Sequence, residues 1–218
     1  MYEYSTASNS EFPLQHVKKD YFRFGKTVLD VGCGLLGAGG LLLILPFIAL
    51  GIKISSPGPV FFKQRRVGQY GKVFWCYKFR TMHTQQLSRK QLSITKKSDS
   101  RIFPLGQFLR RSNLDEMPQV FNVLKGEMSI IGPRPYWDEE DRYWSDRIPG
   151  FKTRYLVKPG LTGWAQVNGL RGGTLDQEAM QVRFEKDLEY IRKYSMKMDL
   201  RIVWMTFNSM VLGRTNAH

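Results

Sequence analysis

The chain has 218 residues, with 33 Lys and Arg against 19 Asp and Glu, and so a formal charge of +14 at neutral pH. That length suits one domain, or one with an appendage, and 42% hydrophobic content excludes a wholly disordered chain. Two cysteines cannot make a disulfide framework and fit a reducing compartment. Three histidines argue against a zinc centre, and the positive balance asks for an anionic partner: nucleic acid, anionic lipid or a phosphorylated substrate.

Residues 1–25 form a polar N-terminal segment. From Val31 to Ile52 no residue is charged. As a helix this run reaches about 33 Å, enough to cover a hydrocarbon core of about 30 Å. It starts too late for a signal peptide and lacks a small-residue cleavage site, and as a core helix it would need cover on every side. Lys18, Lys19, Arg23 and Lys26 precede it; Lys53, Lys63, Arg65 and Arg66 follow it. The positive-inside tendency puts both flanks on the cytoplasmic face, which a straight crossing cannot do. Pro46 offers a break. The expected arrangement is therefore a re-entrant membrane helix over residues 26–54, broken near Pro46, its bend covered by protein or headgroups. Val28-Leu29-Asp30-Val31-Gly32-Cys33-Gly34 imitates a methyltransferase motif, and Gly32, Gly34 and Gly37 imitate a dinucleotide-binding one. Lys53 stands where an acidic residue should hold a ribose, so the context fails.

Between Asp30 and Asp99 there is no Asp or Glu, while the stretch carries eleven Lys and Arg. Ser55-Ser56-Pro57-Gly58-Pro59 reads as a turn, and Val60–Phe62 and Val73–Phe79 as short strands of a small β-hairpin. Thr84–Ser100 reads as a basic loop or frayed helix. Phe103–Arg111 and Leu114–Lys125 read as helices, the second stopped by Gly126, and Tyr136–Arg147 as a third. Lys158-Pro159-Gly160 and Asn168-Gly169 bracket a turn-rich extended segment. Glu178–Tyr194 reads as an amphipathic helix. A last helix runs over Asp199–Leu212, with Leu200, Val203, Trp204, Phe207 and Met210 on one face, either core-packing or flat on a membrane. The fold class is α+β, mostly helical, with residues 55–218 as one cytoplasmic catalytic domain carrying amphipathic interfacial helices.

Two motifs carry chemistry. Asn113-Leu114-Asp115-Glu116 reads plainly as a capping box, Asn113 capping and Glu116 returning the bond. Adjacent carboxylates at a helix start also suit phosphate chemistry, with Asp115 as nucleophile or magnesium ligand and Glu116 as its partner. In Gly132-Pro133-Arg134-Pro135 two prolines stiffen the backbone around Arg134, whose guanidinium fork fits phosphate.

Lys78-Phe79-Arg80-Thr81-Met82, Leu114-Asp115-Glu116, Asn122-Val123-Leu124-Lys125-Gly126-Glu127-Met128-Ser129, Gly132-Pro133-Arg134-Pro135 and Pro159–Gly169 occur in this order. Together they resemble the bacterial sugar transferase family, small monotopic phosphoglycosyl transferases that start lipid-linked glycan synthesis. The likeness covers Tyr21 to Leu212. It implies transfer of a hexose 1-phosphate from a UDP-sugar to undecaprenyl phosphate through a covalent aspartyl phosphosugar, on the cytoplasmic face of the bacterial inner membrane, as the first membrane step of exopolysaccharide, capsule or O-antigen synthesis. It implies a magnesium cofactor, with manganese as the alternative. The partners it implies are UDP-glucose or UDP-galactose, the lipid phosphate and membrane lipids, with no nucleic acid; a homodimer is allowed. By resemblance Asp115 is the nucleophile and metal ligand and Glu116 its partner carboxylate. Lys78, Arg110 and Arg134 match basic positions around the phosphates, and Asp187 and Asp199 two further acidic positions. The family often has Ser-Pro at the helix break, where Leu45-Pro46 stands here. Larger members carry four membrane helices ahead of this domain; with only a polar segment before it, the chain reads as a stand-alone or truncated catalytic unit.

Overall fold

The computed structural model describes residues 24–84, 99–174 and 176–211. Lys18, Lys19 and Arg23 of the N-terminal segment, most of the basic stretch Thr84–Ser100, the side chain of Met210, and Leu212 lie outside the described residues. The elements are α1 (Lys26–Ser55), β1 (Phe61–Val67), a one-turn 3-10 loop (Gln69–Gly71), β2 (Val73–Phe79), α2 (Pro104–Arg111), a 3-10 turn (Leu114–Gln119), α3 (Val120–Leu124), β3 (Ser129–Ile131), α4 (Asp138–Ser145), a further 3-10 turn (Phe151–Leu156), β4 (Gly160–Thr162), α5 (Trp164–Val167), α6 (Gln177–Arg192) and α7 (Met196–Val211). The fold is α+β and mostly helical.

α1 is long and apolar enough to cross a membrane by length and composition. It continues as helix through Pro46, where the sequence expects a break. Proline removes one bond, to the carbonyl four residues earlier, and the turns on either side stay helical. Along its length one stripe turns inward: Lys26, Asp30, Gly34, Ala38 and Leu41, then Ile52, with Ile44, Leu45 and Ile48 half-buried between them. Leu35, Leu36, Leu42, Leu43, Phe47, Leu50 and Ile54 face outward. The inward stripe docks closely on α3. A Cβ on Gly34 would lie 2.8 Å from the Leu124 side chain, and one on Gly37 3.0 Å from that of Val120. The first turns are also held by buried polar contacts. Lys26 Nζ donates to Asp199 Oδ2 at 2.6 Å and to the Ile131 carbonyl at 2.9 Å. Asp30 accepts from Ser129 Oγ at 2.8 Å and from the Ile130 N–H at 2.9 Å.

β1 and β2 pair antiparallel from Phe61–Phe79 to Val67–Val73, so β1 runs beyond the expected Val60–Phe62 and takes in Lys63–Arg66. Alternation sends Lys63 and Arg65 outward, while Arg66 is buried. Asn122, fully buried, locks α3 to the free edge of this hairpin. Its amide donates to the Trp75 carbonyl at 2.7 Å and to Glu127 at 2.6 Å, and its oxygen accepts from the Tyr77 N–H at 3.1 Å. A second, parallel pair joins β3 to β4, Ser129 opposite Gly160 and Ile131 opposite Thr162. The backbones approach so closely that a Cβ on Gly160 would lie 2.0 Å from the Gly132 nitrogen.

Among the described residues four apolar clusters fill the interior, the smallest being Phe74, Cys76, Val123 and Met128 between β2 and α3. Ile131, Tyr190, Ile191 and Ile202 join β3, α6 and α7. Leu41 and Ile52 of α1 share a cluster with Phe79, Phe103 and Leu109. Tyr136, Trp144, Phe151, Met180 and Phe184 lie between α4 and α6. α6 starts at an Asp176 cap, whose side chain accepts from the Glu178 N–H at 3.0 Å. α7 presents Met198 and Ile202 to the core, whereas Leu200, Val203, Trp204 and Phe207 are exposed. The stripe expected on this helix is therefore its outer face.

Candidate active site

The end of β2 assembles much of the site in one run. Lys78 shares the inward side of the strand with Cys76 and forms an ion pair with Glu116. Two residues on, Arg80 donates to the Ser56 carbonyl at 2.6 Å, to Ser56 Oγ at 3.1 Å and to the Pro57 carbonyl at 2.8 Å, clasping the chain just past α1. Thr81 Oγ1 accepts from Arg110 Nε at 2.8 Å, aiming an arginine from the last turn of α2.

Asp115 and Glu116 stand on the 3-10 turn, not at the start of an α-helix, and the capping-box reading fails. Asn113 is left-handed at φ 57° with no side-chain cap bond. Glu116 uses its carboxylate on Lys78 and on Arg134, whose Nη1 lies 3.8 Å away. Pro118 inside the turn prevents the regular helix that the pattern suggested. Among the described residues the Asp115 carboxylate makes no hydrogen bond or ion pair, although it is half-buried.

Arg134 follows β3, in a segment whose carbonyls are held in succession from outside. The Pro133 carbonyl accepts from the Gly160 N–H, Arg134 from Arg154 Nη2, Pro135 from Arg66 Nη1 and Tyr136 from the Val67 N–H, each at 2.9 Å. The prolines thus stiffen a strip that four neighbours also hold, and the Arg134 side chain is directed at Glu116. Arg66, Cys76, Lys78, Glu116, Gln119 and Arg134 line a small cavity here.

Electrostatics separate the two carboxylates. Burial pushes the Asp115 carboxyl up to about 6; Lys78 pulls it down, and the charge of Glu116 pushes it up again. Burial would raise Glu116 as well, but Lys78 and Arg134 outweigh it and hold that carboxyl well below the usual range. One acid is neutralised by cations and the other is unpaired, the division of roles expected where one carboxylate is to react.

Asp115, Glu116, Lys78, Arg110 and Arg134 come together; Asp187 and Asp199 do not join them. Asp187 is buried behind Arg134, paired at 2.6 Å with Arg154, the same arginine that holds the Arg134 carbonyl. Asp199 is fully buried against Lys26 and Tyr190 and fastens α1 to the core. Both are held in internal ion pairs, apart from the Asp115–Glu116 pair. The sequence reading missed Arg66 and Glu140. Arg66 sits at an inward position of β1, which two-residue alternation from Phe62 and Gln64 could have revealed. Glu140, on α4, lies within reach of the charges of Arg66 and Arg134, and burial raises its carboxyl.

Among the described residues no three His, Cys, Asp or Glu side chains converge into an all-protein metal cage. Magnesium does not require one, because it commonly takes one or two carboxylates together with water and substrate phosphates. The unpaired Asp115 carboxylate fits that donor set, whereas Glu116 is already charge-compensated.

A family model described as Bacterial sugar transferase matches residues 21–213. A UDP-glucose:undecaprenyl-phosphate glucose-1-phosphate transferase of Xanthomonas campestris pv. campestris is 44% identical over 92% of this chain and 41% of its own length. Enzymes of the same name are 48% identical in Escherichia coli, over 76% of this chain and 36% of that protein, and 42% identical in Caulobacter vibrioides, over 91% and 73%. The chain thus spans about two fifths of the Xanthomonas protein that it matches.

Proposed function

The chain belongs to the bacterial sugar transferase family, and from that membership we propose that it moves glucose 1-phosphate from UDP-glucose to undecaprenyl phosphate, giving undecaprenyl-diphosphate-glucose and UMP. The observation that carries this reading is the unpaired Asp115 carboxylate beside a Glu116 held by Lys78 and Arg134. A nucleotide sugar and a lipid phosphate are both anions, so a site that takes them in turn needs fixed cations around one free nucleophile.

In the first step an Asp115 oxygen attacks the sugar-bearing phosphorus. The Asp115 O–P bond forms, the bridging P–O bond breaks, and the electron pair leaves with UMP. Lys78, Arg110 and Arg134 offset the charge that builds on the phosphoryl and departing oxygens. Magnesium held by Asp115 and the diphosphate would add charge neutralisation at the same oxygens. Glu116, kept anionic by its two cations, fixes Lys78 and Arg134 in place. In the second step a phosphate oxygen of the lipid attacks the same phosphorus, the Asp115 O–P bond breaks, and the carboxylate returns. The two substrates, so unlike in solubility, need never share the site.

The same reading places the catalytic domain on the cytoplasmic face of the inner membrane. The two flanks of α1 are basic, its outer face is apolar, and its inner stripe touches the domain from Lys26 to Ile52. A helix crossing alone would leave its middle turns clear of the domain, so these contacts favour a helix lying beside the domain in one leaflet.

Incubation with UDP-glucose alone, followed by intact-mass measurement and peptide mapping, tests the chemistry. A hexose-phosphate adduct on Asp115 that is discharged by undecaprenyl phosphate is the expected result. Release of UMP only when acceptor is present, with no adduct, would replace the two-step route by direct transfer.

A further inference from the structure

We infer that Arg171 is an additional substrate-phosphate ligand, carried to the rim of the site by the loop between α5 and α6. The inference rests on the reading above and extends it to a residue outside the ordered motifs that define the site. Arg171 is half-buried, and its loop is tied to the site from both sides. On one side Arg171 Nε donates to the Gln166 carbonyl at 3.2 Å, and the Gln166 amide donates at 3.2 Å to the carbonyl of Leu161, which lines the cavity with Glu116 and Arg134. On the other, the Arg171 carbonyl accepts at 3.3 Å from the buried Arg183, whose other Nη donates to the Tyr136 hydroxyl at 3.3 Å, next to Pro135. Gly169 and Gly172 flank it at φ +87° and +80°, values that let the chain turn sharply around this one side chain.

The Nε bond fixes the guanidinium plane, yet among the described residues neither Nη has a hydrogen-bond or carboxylate partner. A half-buried cationic fork without a counter-ion is costly unless an anion completes it. Burial lowers its proton affinity, Glu116 offsets that, and Arg134 adds to it, so its charge is close enough to act on both. Around the dyad this makes five cations, Arg66, Lys78, Arg110, Arg134 and Arg171, against the carboxylates of Asp115, Glu116 and Glu140. The surplus suits a diphosphate or a lipid phosphate, and the guanidinium fork suits two phosphate oxygens together.

The two half-reactions distinguish the sources. Arg171→Ala and Arg171→Lys are compared with wild type in UMP release from UDP-glucose alone and in discharge of the preformed adduct by undecaprenyl phosphate. Binding of UMP is measured in parallel by calorimetry. A donor-phosphate ligand raises KM for UDP-glucose by about tenfold or more in Arg171→Ala and weakens UMP, with adduct discharge unchanged. An acceptor-phosphate ligand raises KM for the lipid alone. In either case Arg171→Lys recovers only part of the loss, because it keeps the charge without the fork, and the thermal midpoint is unmoved. Unchanged KM for both substrates, or a fall in thermal midpoint with unchanged KM, reduces Arg171 to a cap on the Gln166 carbonyl and overturns the inference. Wild-type protein that neither binds UMP nor releases it from any UDP-sugar would overturn the transferase reading as well.

Discussion

Asp115 and Glu116 are adjacent in sequence, yet their surroundings assign them different work. Asp115→Asn keeps size and polarity and breaks no contact, so the variant should fold with an unchanged thermal midpoint and lose adduct formation by at least about a thousandfold. A stable, fully active variant would return Asp115 to a structural role. The pH dependence has a definite sign. The nucleophile must be ionised, so the single-turnover rate with UDP-glucose should fall as pH drops through about 6. Glu116→Gln removes the neighbouring negative charge and should move that limb to lower pH. Lys78→Met removes the cation that favours the Asp115 carboxylate and should move it to higher pH. A limb that both variants leave in place would belong to another group. At this scale the sequence was legible where residues cluster in motifs: Lys78, Asp115, Glu116 and Arg134 converge. It was misleading where a local pattern had two readings, as for Asn113-Leu114-Asp115-Glu116, because only the Lys78 ion pair and Pro118 decide between cap and site. Arg66 was hidden because the apolar run Val60–Phe62 stops short of it; only a strand extended to Val67 carries the alternation that turns Arg66 inward and Arg65 outward.

At the scale of elements, ion pairs at the junctions do what short helices and three-residue strands cannot do alone. Arg154–Asp187 holds the Arg134 carbonyl, and Lys26–Asp199 holds the first turn of α1. Removing one partner of a buried pair leaves an uncompensated charge and costs about 3–5 kcal/mol. Asp187→Ala and Lys26→Met should each lower stability by about that amount in denaturant unfolding. The double variant Lys26→Met with Asp199→Leu should recover a large part of the loss, and strict additivity would show that the two groups do not interact. Longer periodic segments such as α6, and the alternating hairpin, could be read from the chain because their period repeats. The β3–β4 pair and α5 could not, because three or four residues show no period, and their register is set by Gly132 meeting Gly160 in three dimensions. Pro46 reads as a break in the sequence, yet α1 stays helical on both sides of it, its neighbouring turns held by contacts with the domain.

Among the described residues of the molecule, the outer side of α1 and the side of α7 holding Leu200, Val203, Trp204 and Phe207 are apolar and exposed. A run of exposed large apolar side chains along a helix suits an interaction surface, and lipid matches its composition. Trp204 fluorescence should be quenched by lipid-resident quenchers in anionic vesicles; indifference to them would take α7 off the bilayer. Cysteines placed in residues 1–23 and in the catalytic part should label from the same, cytoplasmic, side of intact cells. Labelling of one flank alone from the periplasm would make α1 a crossing helix. Hydrophobicity made this segment legible as one long apolar helix, but could not reveal its docking, because the glycines that admit α3 look like ordinary small residues of a lipid-facing helix.

The contacts of Lys26 and Asp30 make α1 a keystone of the fold. Deleting it to obtain a water-soluble fragment would leave Asp199 without its cation and the Ile130 N–H without its carboxylate, and would uncover Leu109, Phe79 and Phe103. The fragment would meet water with a hole through its interior instead of a trimmed edge. The helix proposed to meet the bilayer is therefore also a wall of the core, and whatever shelters its outer face bears on the folding of the whole domain.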